Sequence, residues 1–188
     1  MIKKDKRIIN LFCFFFVIFM VLLSYKVILL ITVLTANQQN TIDFLQEKAE
    51  LELPFTEEEV SHLQDVKKLM KVINYLFYFS LLILTLILTY YKKNVQQVKK
   101  LLRYGGITTI VVVLITIFIL WLSFSKLFTL FHHVFFPQGN WIFPTDSLLI
   151  QTFPIDFFNS ISLRIFGLSL FISLILVFFK NIYKIGKV

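Results

Sequence analysis

Residues Ile8–Val33 read IINLFCFFFVIFMVLLSYKVILLITV, a stretch with no proline, no glycine and a single charged side chain, Lys26. A run of this length spans the roughly 30 Å of hydrocarbon in a bilayer as a helix. In lipid every backbone N–H and C=O must find its partner within the segment, so helix is the form it takes. Three further runs have the same character: Ile73–Tyr91, Ile107–Phe131 and Ile161–Phe179. The reading is an all-α membrane protein, one membrane domain over residues 1–188, crossing the bilayer four times. Composition agrees. Hydrophobic residues make up 57% of the chain and Phe alone occurs 23 times, more apolar surface than a soluble core of this size hides. Lys3, Lys4, Lys6 and Arg7 before the first run, with Leu34-Thr35-Ala36 after it, have the outline of a signal peptide. The apolar stretch far exceeds the about 7–15 residues of such a segment, so the expectation is a retained helix.

Charge sets the expected orientation. Twelve of the 19 basic residues lie in three segments: before the first helix, between the second and third (Lys92, Lys93, Lys99, Lys100, Arg103), and after the fourth (Lys180, Lys184, Lys187). Those segments carry one acid, Asp5, and the other ten acids fall in the two opposite segments or at their edges. The positive-inside rule then puts both termini in the cytoplasm and segments 34–72 and 132–160 outside. The formal charge of +8 thus reads as retention beside anionic lipid rather than as a nucleic-acid footprint, because it forms no stripe on a soluble face. The one cysteine, Cys13, excludes an internal disulfide and any paired-thiol site.

The two outer segments differ. In the first, Asn40–Leu53 alternates acids with apolar residues and suits the membrane surface, and Pro54 interrupts it. Thr56-Glu57-Glu58-Glu59 then has the pattern of a capping box. No glycine or proline follows before Tyr91, which predicts one helix from Glu57 through Tyr91. In the second, Pro137, Pro144 and Pro154 forbid a long helix, and Trp141 among phenylalanines suits the interfacial layer.

All three histidines, His62, His132 and His133, lie in these outer segments. His62 and Asp65 are three apart and share a helix face. They read either as a surface charge pair or as an imidazole whose tautomer a carboxylate fixes. His132 and His133 would point about 100° apart on a helix, so they do not both face one site. Lys26, Lys126 and Arg164 lie near the outer ends of their helices. They read either as snorkelling side chains or as a positive rim for an anionic group. The chain has no G-x-S-x-G elbow, phosphate loop, dinucleotide fingerprint or H-E-x-x-H zinc motif. The chemistry expected of it is acid–base catalysis with neither metal nor cofactor.

The second outer segment runs Phe131-His132-x-x-Phe135-Phe136-Pro137-x-Gly139-Asn140-Trp141-x-Phe143-x-x-Asp146-Ser147, then Phe153-Pro154-x-x-Phe157. The first contributes Glu59-x-x-His62-Leu63-x-Asp65. With four helices in this order, the chain resembles the bacterial lipoprotein intramolecular transacylases, the Lit family. The resemblance implies movement of the sn-2 acyl chain of a diacylglyceryl-modified lipoprotein to the amine of its N-terminal cysteine, giving a lyso-form lipoprotein. It implies diacylglyceryl-modified lipoproteins and membrane lipids as partners, no nucleic acid, and a multi-pass protein of the cell membrane with its active site outside. The family's two histidines fall on His62 and His132. On that reading His132 is the principal base and acid, His62 polarises, Asp65 orients His62, and Asn140 donates to the oxyanion. Trp141 and Asp146 shape the site, and Lys26, Lys126 and Arg164 support it. A non-catalytic membrane accessory protein is the alternative. A small transporter fits less well, since no helix centre carries a charge.

Overall fold

The computed structural model describes residues 3–178, with side chains from Lys6 onward, so Lys3, Lys4, Phe179 and the Lys180, Lys184 and Lys187 cluster lie outside what can be placed in full. Among the described residues six helical elements follow in order: α1 Lys3–Ile31, α2 Ala36–Leu45, α3 Glu57–Tyr90, α4 Val95–Phe135, α5 Leu148–Thr152 and α6 Ile155–Phe178. No strand occurs among the described residues. α1, α3, α4 and α6 are long and apolar enough to cross a membrane. Their outward side chains match that solvent: Phe14 is 61% exposed and Trp121 77%, which lipid tolerates and water would not.

The long helices differ from the apolar runs at the ends nearest segments 34–72 and 132–160. α3 has 34 residues, about 50 Å at 1.5 Å per residue, so its acidic first turns extend past the hydrocarbon. α4 is not one helix. Ser123 has extended backbone (φ −168°, ψ 90°), and its hydroxyl accepts from Lys126 N–H at 3.4 Å. It is an N-cap in mid-run, starting a second helix that carries Lys126 and His132. α6 begins at Ile155, directly after Pro154 and six residues before the apolar run, because proline is at home where a helix starts. α2 and α5 are also capped by hydroxyls, Thr35 and Ser147.

The described chain forms two compact units. One takes in residues up to Leu30, Tyr75–Phe118 and the stretch from Leu163. Its core holds Ile9, Phe12, Phe16 and Met20 with Leu84 and Leu101. Gly105 lets the backbone lie against Phe16, where an added Cβ would come within 2.8 Å of the ring, the small-residue packing typical of membrane helices. Ser169 and Ser24, both buried, share a hydrogen bond of 2.9 Å in the same unit. The other unit comprises Ile31–Asn74 and Ile119–Ser162, and segments 34–72 and 132–160 lie within it.

Candidate active site

The N-terminal end of α3 presents Glu59, His62 and Asp65 at successive spacings of three, so all three project toward one side. The capping box forms as the sequence predicts: Thr56 N–H donates to Glu59 Oε2 at 2.8 Å, and Glu59 N–H to Thr56 Oγ1 at 3.3 Å. The remaining oxygen of Glu59 takes the N–H of Leu149 at 2.8 Å. This carboxylate, 1% exposed, therefore ties the start of α3 to the start of α5. Six residues on, Asp65 Oδ2 accepts from Gln138 Nε2 at 2.8 Å and Asn140 Nδ2 at 2.9 Å, while Oδ1 pairs with Lys68 at 2.9 Å. Lys68 first, then Asn140 and Gln138, hold the Asp65 carboxyl below its usual range. Two acids thus pin the 136–149 segment at both ends. The turn between them needs Gly139, whose φ of 81° lies in the left-handed region.

His62 sits between these two ties, 6% exposed, edge-on to Phe136 at 4.8 Å and tilted against Phe143 at 5.7 Å. Its ring lies 6.0 Å from that of His132, with 29° between the planes. His132 is half-buried beside Trp141 at 4.9 Å. Its Nδ1–H donates to Phe128 C=O at 2.8 Å. A carbonyl can only accept, so this bond leaves Nε2 as the lone-pair nitrogen. The third group that orients an imidazole base is here the backbone of the preceding turn.

Electrostatics keep both rings neutral. Burial pushes His62 down to about 4, with His132 adding to the effect and Asp65 and Asn140 opposing it. Burial also lowers His132, against the Phe128 carbonyl, which favours the charged ring, and with His133, which disfavours it. Of the buried polar atoms in this cluster, Trp141 Nε1 has no protein partner, and His62 Nδ1 and Asn140 Oδ1 have none but each other. An unpaired buried group costs about 1–3 kcal/mol, and such groups gather where a ligand completes them. An open cavity of about 730 Å³ adjoins the cluster, sharing Asn140 and Phe143 with it and lined further by Glu57, Glu58, Ile142 and Asp146.

The other sequence candidates are placed as follows. Asp65 reaches Asn140, which lies beside His62; no hydrogen bond joins Asp65 to His62 among the described residues. Asn140 gives one amide N–H to Asp65, and its Oδ1 has no partner but His62 Nδ1. Trp141 lies against both adjacent histidines, His132 at 4.9 Å and the exposed His133 at 5.2 Å. The 100° divergence is thus bridged by one wide ring, with His132 half-buried and His133 exposed. Asp146 is exposed on the cavity wall. Lys126 is exposed in the same unit. Lys26 and Arg164 belong to the other unit, Lys26 lying over the rings of Phe77 at 5.0 Å and Tyr78 at 5.6 Å. Sequence reasoning missed Glu59 as a tie, Gln138 as an Asp65 partner and the Phe128 carbonyl. Only the i, i+3, i+6 spacing of Glu59, His62 and Asp65 signalled any of these. Among the described residues, no three His, Cys, Asp or Glu side chains stand together as metal ligands would.

Comparison with known proteins follows the same line. No curated protein matches the sequence. The solved structures that match include the membrane-integral lipoprotein intramolecular transacylase Lit of Bacillus cereus, with TM-score 0.80 and 21% identity over 96% of this chain and 94% of that one. Two forms of that protein with a histidine replaced also match: the arginine form at TM-score 0.73 and 19% identity, covering 96% and 91%, and the alanine form at 0.76 and 20%, covering 96% and 92%. At this identity the likeness establishes the fold. The family model for lipoprotein intramolecular transacylase Lit matches residues 6–158, which include every residue of the histidine cluster, and this chain belongs to that family.

Proposed function

We propose that this acyltransferase moves the sn-2 acyl chain of a diacylglyceryl-modified lipoprotein to the α-amine of the lipoprotein's N-terminal cysteine, with His132 shuttling the proton. The observation that carries the reading is the His132 ring, its Nδ1 tied to Phe128 and its centre 6.0 Å from that of the buried His62. The amine nitrogen attacks the ester carbonyl carbon, a C–N bond forms and the carbonyl electron pair moves to oxygen. His132 Nε2 takes a proton from that nitrogen. The intermediate then collapses, the bond to the glyceryl oxygen breaks, and the same Nε2–H returns its proton to that oxygen. An ester becomes a more stable amide, so no co-reactant is required. Donor and acceptor share one molecule, and holding them together supplies the entropic advantage. His62, neutral with a pKa of about 4, contributes a neutral N–H rather than a charge.

The rate should depend on pH through two groups. The substrate amine, of pKa about 7.7–8.0, must be neutral to attack, and His132 must be neutral to accept. Burial lowers the His132 pKa, so its protonation begins to matter only below the usual imidazole value of about 6.5. The logarithm of kcat/KM should rise with unit slope below the amine pKa and steepen toward two below the His132 pKa. In His132→Ala the amine break should remain and the steeper limb disappear. A single unit-slope limb in the wild type would argue against a histidine base.

The site faces outward on this reading, with both termini inside, because of the charge bias between segments. With Cys13 replaced by serine, a cysteine in place of the exposed Thr145 should react with an impermeant maleimide on intact cells. Labelling only after permeabilisation would invert the orientation.

A further inference from the structure

Aminolysis of an ester develops negative charge on the carbonyl oxygen, and the site must offer hydrogen-bond donors where that oxygen stands. Asn140 is a weaker candidate: Asp65 holds one N–H of its amide, and the amide also bonds the His62 ring. The neighbouring residue is the stronger one. Trp141 Nε1 can only donate, is buried and has no protein partner, and its ring lies 4.9 Å from that of His132. A nearby carbonyl would have satisfied it during folding, as Phe128 satisfies His132 Nδ1.

Resting on the transacylase reading above, we propose that Trp141 Nε1–H is an oxyanion donor for the tetrahedral intermediate. Asn140 and Trp141 are consecutive and follow the Gly139 turn, so one backbone bend sets the Asp65 tie and the donor side by side. Asp65 fixes which way the Asn140 amide faces, because a carboxylate takes only its NH2 end. In this scheme Trp141 touches the reacting oxygen.

The test compares the wild type with Trp141→Phe in lipid nanodiscs, on a synthetic dipalmitoylglyceryl-cysteinyl peptide. Loss of one such donor should lower kcat by about 10²–10³-fold, with KM little changed. Two inert analogues separate chemistry from packing. A phosphonate at sn-2, which mimics the charged tetrahedral centre, should bind Trp141→Phe more weakly by about the factor lost in kcat. An ether at sn-2, which has no carbonyl oxygen, should bind both proteins alike. Unchanged kcat in Trp141→Phe, or equal weakening of both analogues, would make Trp141 a packing residue and leave the function standing. A folded wild type that leaves the peptide unchanged would overturn both.

Discussion

His132→Ala is expected to lower the rate of acyl transfer by about 10²–10⁴-fold, the usual contribution of a positioned general base, with membrane insertion unchanged. The ring has the three attributes a base needs here. Its tautomer is fixed by the Phe128 carbonyl, burial keeps it neutral, and it stands beside the buried polar atoms of His62, Asn140 and Trp141. His133 cannot replace it, since it is exposed and meets only the Trp141 edge in its ring contacts. Activity should not vanish entirely, because the substrate's own intramolecularity persists. His132→Gln should be as inactive as the alanine variant, since glutamine can accept a hydrogen bond but cannot carry a proton between two atoms. Single-turnover rates for both variants measure this. A glutamine variant as fast as the wild type would assign the ring a purely structural role.

Glu59→Ala is expected to have the largest effect on stability. It removes the side-chain acceptor for Thr56 N–H, one half of the α3 capping box, and leaves the Leu149 N–H unpaired in a buried place. Loss of the Thr56 N–H bond costs about 0.5–1.5 kcal/mol and an orphaned buried donor about 1–3 kcal/mol, together about 1.5–4.5 kcal/mol. Glu59→Gln retains one acceptor but turns an NH2 toward either Thr56 N–H or Leu149 N–H, and should recover only part of the loss. Thermal unfolding of the purified proteins in one detergent measures the order wild type, Gln, Ala. Activity should fall with stability, because His62 lies one turn beyond Glu59. An alanine variant as stable as the wild type would mean that α5 holds its place without this carboxylate.

How far the sequence discloses such a site depends on the range of the interactions that build it. The four spanning helices were legible because lipid imposes a length and forbids unpaired backbone. The capping box was legible because Thr56 and Glu59 are neighbours. The Ser123 break was not, since serine in an apolar run usually bonds back to its own helix, as Ser169 does to Ile165 at 2.9 Å. The early start of α6 follows from Pro154, a signal present in the sequence but overshadowed by hydropathy. His62 and His132 stood out as candidates because all three histidines fall in segments 34–72 and 132–160 and the family resemblance falls on these two. Their meeting was not legible, because contacts such as Asp65 to Asn140 and Glu59 to Leu149 join residues far apart in sequence. The way the Asn140 amide faces depends on which end of it Asp65 captures, and no spacing rule contains that.

The central claim is that this chain, with nothing added, isomerises a diacylglyceryl lipopeptide. Total mass does not change in that reaction, so the direct measurement is tandem mass spectrometry of the synthetic lipopeptide after incubation with purified wild type or His132→Ala in bilayers. The account predicts that with the wild type alone one acyl chain migrates: fragments carry it on the cysteine nitrogen, and the glyceryl group bears a free hydroxyl at sn-2. Unaltered S-diacylglyceryl fragments from a folded wild-type protein, or equal conversion by both proteins, would contradict it.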